Sequence, residues 1–429
     1  MTNKELLLHY VWKFRLFPSG SLETVDGQKI EVIDPGMHNR DAGPDFFNAK
    51  VKIGNKLWAG NVEIHRTSAD WEKHGHHTDK AYNSVILHLS EKVNREIVNQ
   101  KGQQVPQCVL VVPENVCRNA DYLLYSDNPL PCRNHLFVLP KVLINSYLSA
   151  LSLERLERKT NDIFRHLDRF GNSWDDVSYV MLSRNFGFGL NSDEFEALAL
   201  SLPFSYIQKH SDNLLQVEAL LFGQSGLLED TTEKDAYYRR LQSEYQFLKS
   251  KYALKNRDAF HFKMMRVRPM ASPCVRIAQL AALLQKSGRL FSTIREEADY
   301  LHLRNSFQTE PSSYWQTHYS FGKESPKASR LLGEASLNIL LINTVAPLLF
   351  AYGKKTAAAV YCDRAVHMLE SVKPERNAIV NQFTGAGIIP ENAFDTQALI
   401  QLRKEYCDKR KCLFCRIGHA ILSNRQMMT

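Results

Sequence analysis

The chain has 429 residues, of which 44% are hydrophobic and 23% charged, and its net charge is +8. These values exclude a disordered chain and a small disulfide-framed secreted domain, and the length calls for two or three separate cores. The modest positive charge admits a polyanionic partner without requiring one.

The opening segment, MTNKELLLHYVWKFRLF, reads as an amphipathic helix and lacks the unbroken apolar centre and small-residue cleavage site of a signal peptide. Strand signals follow: GQKIEVID, FFNAKVKI, KLWAGNVEIH, SVILHLS, then REIVN and QVPQCVLVV. After the turn-rich NPLPCRNH, residues 128–135, the pattern changes to helical, and QTEPSSYWQTHYSFGKESPKAS, residues 308–329, reads as a long loop. The longest apolar run, Leu337 to Tyr352, is broken by Asn338, Asn343, Thr344 and Pro347. The expectation is an α+β protein without a membrane span, located in the cytoplasm. A mixed-sheet α/β domain would cover 1–135 and an all-α domain 136–429, the latter closed by a Cys/His metal-binding segment at 407–419.

Chemistry concentrates where one strand ends and the next begins. Asp45 opens the second long strand, and Glu63 and His65 stand two apart on the third, so both point to one face. An acid at the mouth of the neighbouring strand reaches the same pocket, and paired carboxylates suit a hard divalent cation, Mg(II) or Mn(II). A neutral His65 is placed to take a proton from a bound water or to serve as a third ligand. A helix from Trp71 to about Asn83, capped by Ser68 or Asp70, would set Asp70 beside His74 and Glu72 beside His76. Asp70 and His74 would support the catalytic group, while Arg66 and His76 would bind phosphate. The rival reading gives His74 and His76 to a zinc-dependent hydrolase site. His77, Asp79 and His88 complete the cluster, His88 as a core histidine inside VILHL.

The second constellation is EYCDKRKCLFCRIGHAIL, in which Cys407, Cys412, Cys415 and His419 supply four soft ligands. Zn(II) in a closed structural site, or an iron–sulfur cluster, would satisfy that set, with Cys132 or Cys362 as substitutes for His419. In the helical part, Arg268 and Arg276 are candidates for nucleic-acid backbone contacts or for structural pairing.

The strand order, with Pro44-Asp45 before one strand and Glu63-Ile64-His65 on the next, resembles the restriction-endonuclease-like fold, whose pattern is Pro-Asp followed by Glu-x-Lys. That resemblance implies two acids holding one or two magnesium ions, with His65 where lysine activates the water. GPDF, VEIHRTSADWEKHGHHTDKAYNSVILH, RVRPMASPCVRIAQLA and YCDKRKCLFCRIG together resemble the bacterial family catalogued as domain of unknown function 2851, which implies no reaction. The expected function is a metal-dependent nuclease acting on DNA or RNA. The alternatives are a non-catalytic nucleic-acid-binding or scaffold protein and the zinc-dependent hydrolase.

Overall fold

The computed structural model describes residues 3–18, 20–39, 41–230, 235–255, 262–264 and 269–423. Arg268 lies outside the described residues. Contacts divide the chain into two compact units: residues up to Ile144 together with those from Leu402 onward, and Asn145–Gln401. The sequence suggests a break near residue 135 and a helical domain running to the end; instead, the Cys-rich segment returns to the first unit. The cause is apolar burial. Leu413, Ile417, Ile421 and Leu422 are buried there, and Asn119 donates a hydrogen bond to the Ile421 carbonyl oxygen at 3.2 Å.

The first unit opens with helix α1 (Asn3–Lys13), whose Leu7, Leu8, Val11 and Trp12 are buried. Its sheet contains β1 (Ile30–Asp34), β2 (Met37–His38), β3 (Phe46–Ile53), β4 (Lys56–Thr67), β5 (Val85–Lys92) and β6 (Gln107–Val109). The order is β1-β3-β4-β5-β6, with β2 also paired to β3. β1–β3 and β3–β4 are antiparallel pairs, whereas β4–β5 and β5–β6 are parallel. The mixed sheet anticipated from the sequence is therefore present. REIVN contributes only a single bridge, Val98 to Gln104, and not a strand.

Periodicity explains which side chains reach the site. β3 alternates, with Ala49, Val51 and Ile53 buried and Lys50 and Lys52 exposed. β5 is buried from Val85 to Ser90, as expected of a parallel strand covered on both faces. β4 changes character along its length: Lys56 to Ala59 are exposed, whereas Val62 to His65 are buried. Val62 and Ile64 therefore occupy one face, and Glu63 and His65 the other. The parallel register sets Glu63 opposite His88.

The second unit is mainly helical, with a core that includes Val177, Phe195, Phe222, Leu280 and Leu348. Residues Glu334–Thr356 are long and apolar enough to cross a membrane, but 67% of the qualifying window is buried inside the protein. The interrupting polar residues serve that packing: Asn185 donates to the Asn343 carbonyl oxygen and to Thr344 at 3.0 and 2.9 Å. The expected loop at 308–329 contains a helical turn, Ser313–Gln316, and a small hairpin, His318–Ser320 with Lys323–Glu324, anchored by the buried Trp315.

Candidate functional site

The two acids predicted from strand order are held against each other's backbones. The Asp45 amide donates to Glu63 Oε2 at 3.0 Å, and the Ile64 amide donates to Asp45 Oδ2 at 2.9 Å. Both carboxyls are largely buried, and burial pushes each up to about 8, with the charge of Glu63 adding to the rise at Asp45. Among the described residues, the ion-pair partners of these acids are all imidazoles: His9 for Asp45, and His65 and His76 for Glu63. Two buried acids without a lysine or arginine partner form an environment that a cation would stabilise.

The histidines come from a turn and not from the long helix expected over 71–83. After β4, helix α2 covers only Asp70–Lys73, and Gly75 takes a left-handed φ of +79°, a conformation that glycine adopts without a Cβ penalty. The chain doubles back there. His76 consequently returns to the face that holds His65, while a 3-10 turn at Lys80–Ser84 leads into β5. Behind them, Trp71 is fully buried and Tyr82 stacks on His76 with ring centroids 3.8 Å apart.

The potential ligand atoms converge. His65 Nε2 lies 3.1 Å from His74 Nδ1 and 3.4 Å from Glu63 Oε1, and His76 Nε2 lies 3.3 Å from Glu63 Oε1. The ligand nitrogens of His65, His74 and His76 all lie within 4.8 Å of one another. Ligands at about 2.0–2.1 Å from a tetrahedral ion stand about 3.3–3.4 Å apart. His76 Nε2 is buried and close to Glu63 Oε1 without hydrogen-bond geometry, so both atoms face common space. His65 and His76 are buried while His74 is exposed, which leaves one wall of the cluster open to solvent.

Burial is the leading influence on the imidazoles and lowers their basicity: His65 to about 2, His76 to about 4 and His88 to about 3. Neutral imidazole is the form that ligates metals. His65 Nδ1 lies 2.9 Å from His88 Nε2, a hydrogen bond that fixes the ring with Nε2 toward the cluster. On the Asp45 side, His9 Nε2 lies 3.4 Å from Asp45 Oδ2, and His9 Nδ1 lies 3.4 Å from His38 Nε2.

Several sequence assignments are redistributed. Glu63, His65 and His74 meet, and His76, expected to bind phosphate, joins them as a potential ligand. Asp70 instead accepts hydrogen bonds from the Thr67 amide and hydroxyl at 3.1 and 2.8 Å, so it caps the turn. Arg66 falls on the alternate phase of β4 and pairs with Glu91 at 3.6 Å. Arg276 lies in the second unit, where it bonds Gln279 at 3.0 Å and covers the Phe188 ring at 4.1 Å. Cys407, Cys412 and Cys415 share a hollow, but His419 turns away: its Nδ1 lies 2.7 Å from the Tyr10 hydroxyl, and its ring packs on Phe14. Cys132 completes that hollow. His9 and His38 lie outside the set that the sequence motifs point to. The cue for His9 was its position on the apolar stripe of α1, beside Leu8 and Val11.

The family model described as "Protein of unknown function (DUF2851)" matches residues 5–378, which contain the histidine cluster but end before the last three cysteines. No curated protein matches the chain, and no solved structure matches it.

Proposed function

The chain belongs to this family of unknown function, and from the geometry of its site we propose a metal-dependent hydrolase acting on the phosphodiester bonds of nucleic acid. The observation that carries the reading is the convergence of His65, His74 and His76, whose ligand nitrogens lie within 4.8 Å of one another, with Glu63 Oε1 3.4 Å from His65 Nε2 and 3.3 Å from His76 Nε2. Three imidazoles suit Zn(II) or another first-row transition ion and leave a fourth position for water beside Glu63, whereas magnesium prefers an all-oxygen shell. This donor set replaces the magnesium-type pair of Asp45 and Glu63 inferred from the sequence. When bound, such an ion acidifies a water and offsets charge developing on a phosphoryl oxygen.

The remaining roles belong to the chain's own groups. Glu63 is held by the Asp45 amide and faces the imidazoles with Oε1. Asp45 is the proton-transfer group: the Ile64 amide fixes its Oδ2, and His9 stands behind it. Its neutral form, favoured near neutral pH by burial, can give a proton to a leaving oxygen, and its ionised form can then take one from the attacking water. His88 and Trp71 hold the His65 and His76 rings from behind. The nucleic-acid substrate class is supported by the order helix, antiparallel strands, turn and parallel strand, with an acid at the start of β3 and Glu-x-His on β4. That support is a fold-level analogy.

Metal analysis and cleavage assays on the full-length protein test this reading. The expected result is one transition-metal equivalent per chain at the histidines, besides any metal on the cysteines, lost in His74→Ala, with DNA or RNA cleavage reduced about 10²–10⁴-fold in Asp45→Asn. Retention of that equivalent by His74→Ala would remove the proposed donor set. Intact nucleic acid after incubation with Zn(II), Mn(II) and Mg(II) would leave a binding protein.

A further inference from the structure

A second set of metal-compatible side chains lies apart in sequence from the histidine cluster and takes no part in the proposed hydrolysis. Cys132 stands in the helical turn Pro131–Val138, and Cys407 ends the helical segment Leu402–Cys407. Cys412 opens the turn Cys412–Phe414, and Cys415 precedes the helix Arg416–Ser423. All four line one hollow, closed by apolar groups that include Pro131, Leu402 and Ile417, and none is in a disulfide. Three of these cysteines share a nine-residue stretch, whereas Cys132 comes from the other side of the inserted helical unit.

The surrounding structure maintains this meeting. Arg410 donates to the Asn128 and Ser126 carbonyl oxygens at 3.1 and 2.7 Å, and Arg403 donates to the Pro129 carbonyl oxygen at 2.9 Å. These bonds fix the segment just before Cys132 against the one containing Cys407. A Cβ on Gly418 would stand 2.1 Å from the Cys412 carbonyl oxygen, so only glycine admits this approach of helix and turn. His419, the ligand suggested by spacing, is committed to Tyr10.

Zinc bound by four thiolates at about 2.3 Å brings their sulfurs to about 3.8 Å from one another. Among the described residues, the one group of three candidate ligand atoms mutually within 4.8 Å is His65, His74 and His76. The four thiols thus border one hollow, and no three of them lie mutually within 4.8 Å. In an iron–sulfur cluster the thiolates are distributed over different irons, so their sulfurs are splayed around an inorganic core. The run Cys-x4-Cys-x2-Cys with a fourth cysteine distant in sequence also occurs as a cluster-binding spacing.

We propose that Cys132, Cys407, Cys412 and Cys415 hold an iron–sulfur cluster that fastens the returning C-terminal segment to the first unit. All four cluster positions are then taken by protein thiolates, which leaves no open iron for a substrate. The proposal does not depend on the hydrolase reading: the two centres share no ligand.

The test is anaerobic purification of the full-length protein, followed by iron, acid-labile sulfide and zinc determination and visible spectroscopy. The expected result is two or four irons per chain with matching sulfide and a brown colour. Cys132→Ser should lose both iron and colour, while Cys117→Ser and His74→Ala retain them. Should Cys132→Ser fail to fold, differential alkylation of the wild-type protein before and after iron chelation, read by mass spectrometry, identifies the protected thiols. One zinc per chain without sulfide, four freely alkylated thiols in the folded protein, or a Cys132→Ser protein with full iron and sulfide would each overturn the proposal.

Discussion

His88 Nε2 stands 2.9 Å from His65 Nδ1, and both rings are buried between adjacent parallel strands. The pairing turns the other nitrogen of His65 toward Glu63 and His74. An outer partner of this kind typically contributes about 10–100-fold to metal affinity. His88→Leu should therefore weaken metal binding by about that factor in chelator competition. His88→Gln, whose amide oxygen can accept the same bond, should recover much of the loss. Equal affinities in the two variants would show that the hydrogen bond is not what matters.

Gly75 is the hinge that returns His76 to the cluster. At φ +79° an alanine is strained by about 1–2 kcal/mol. Gly75→Ala should lower the urea midpoint accordingly and reduce metal content, because relief of that strain moves His76. A variant with normal stability and full metal occupancy would remove the turn from the account of the site.

Metal removal should destabilise the first unit selectively. A ligand that binds only the folded state adds about 2.7 kcal/mol when present at 100 times its Kd. Chelation should therefore accelerate hydrogen exchange at β4 and β5 while leaving the helix Pro273–Lys286 unchanged.

The second unit carries its own pH signature. Burial pushes Glu218 up to about 7 despite hydrogen bonds from Tyr237 and Ser312. An unfolded glutamic acid ionises near 4.5, so between that pH and about 7 the folded chain holds the extra proton. Stability therefore falls as pH rises through that window, by roughly 3 kcal/mol at about 1.4 kcal/mol per unit. Glu218→Gln removes the ionisation and should raise the melting temperature at pH 8 more than at pH 5. An identical shift at both values would contradict this assignment.

The alternation that pairs Glu63 with His65 and the acid that opens the neighbouring strand were legible because a strand has a fixed period of two. Other relationships are set by tertiary structure. Glu63 faces His88 because of the β4–β5 register, which neither strand encodes alone. His76 arrives through a reversal at Gly75, where the surrounding residues suggest a continuous helix. His9 comes from a helix more than fifty residues upstream of Glu63, its polarity concealed within an apolar stripe. Cys132 was visible as a cysteine, but its companions are separated from it by the whole second unit, and the helix that ought to have aimed His419 inward aims it at Tyr10.

The interrupted course of the first unit also orders events on the ribosome. Its sheet emerges early, but Cys407, Cys412 and Cys415 leave the exit tunnel only after the 257 residues of Asn145–Gln401. The helical insert can mature while its host is still missing a wall. The proposed cluster can therefore be completed only once most of the chain has been synthesised and its last helix has joined the waiting sheet.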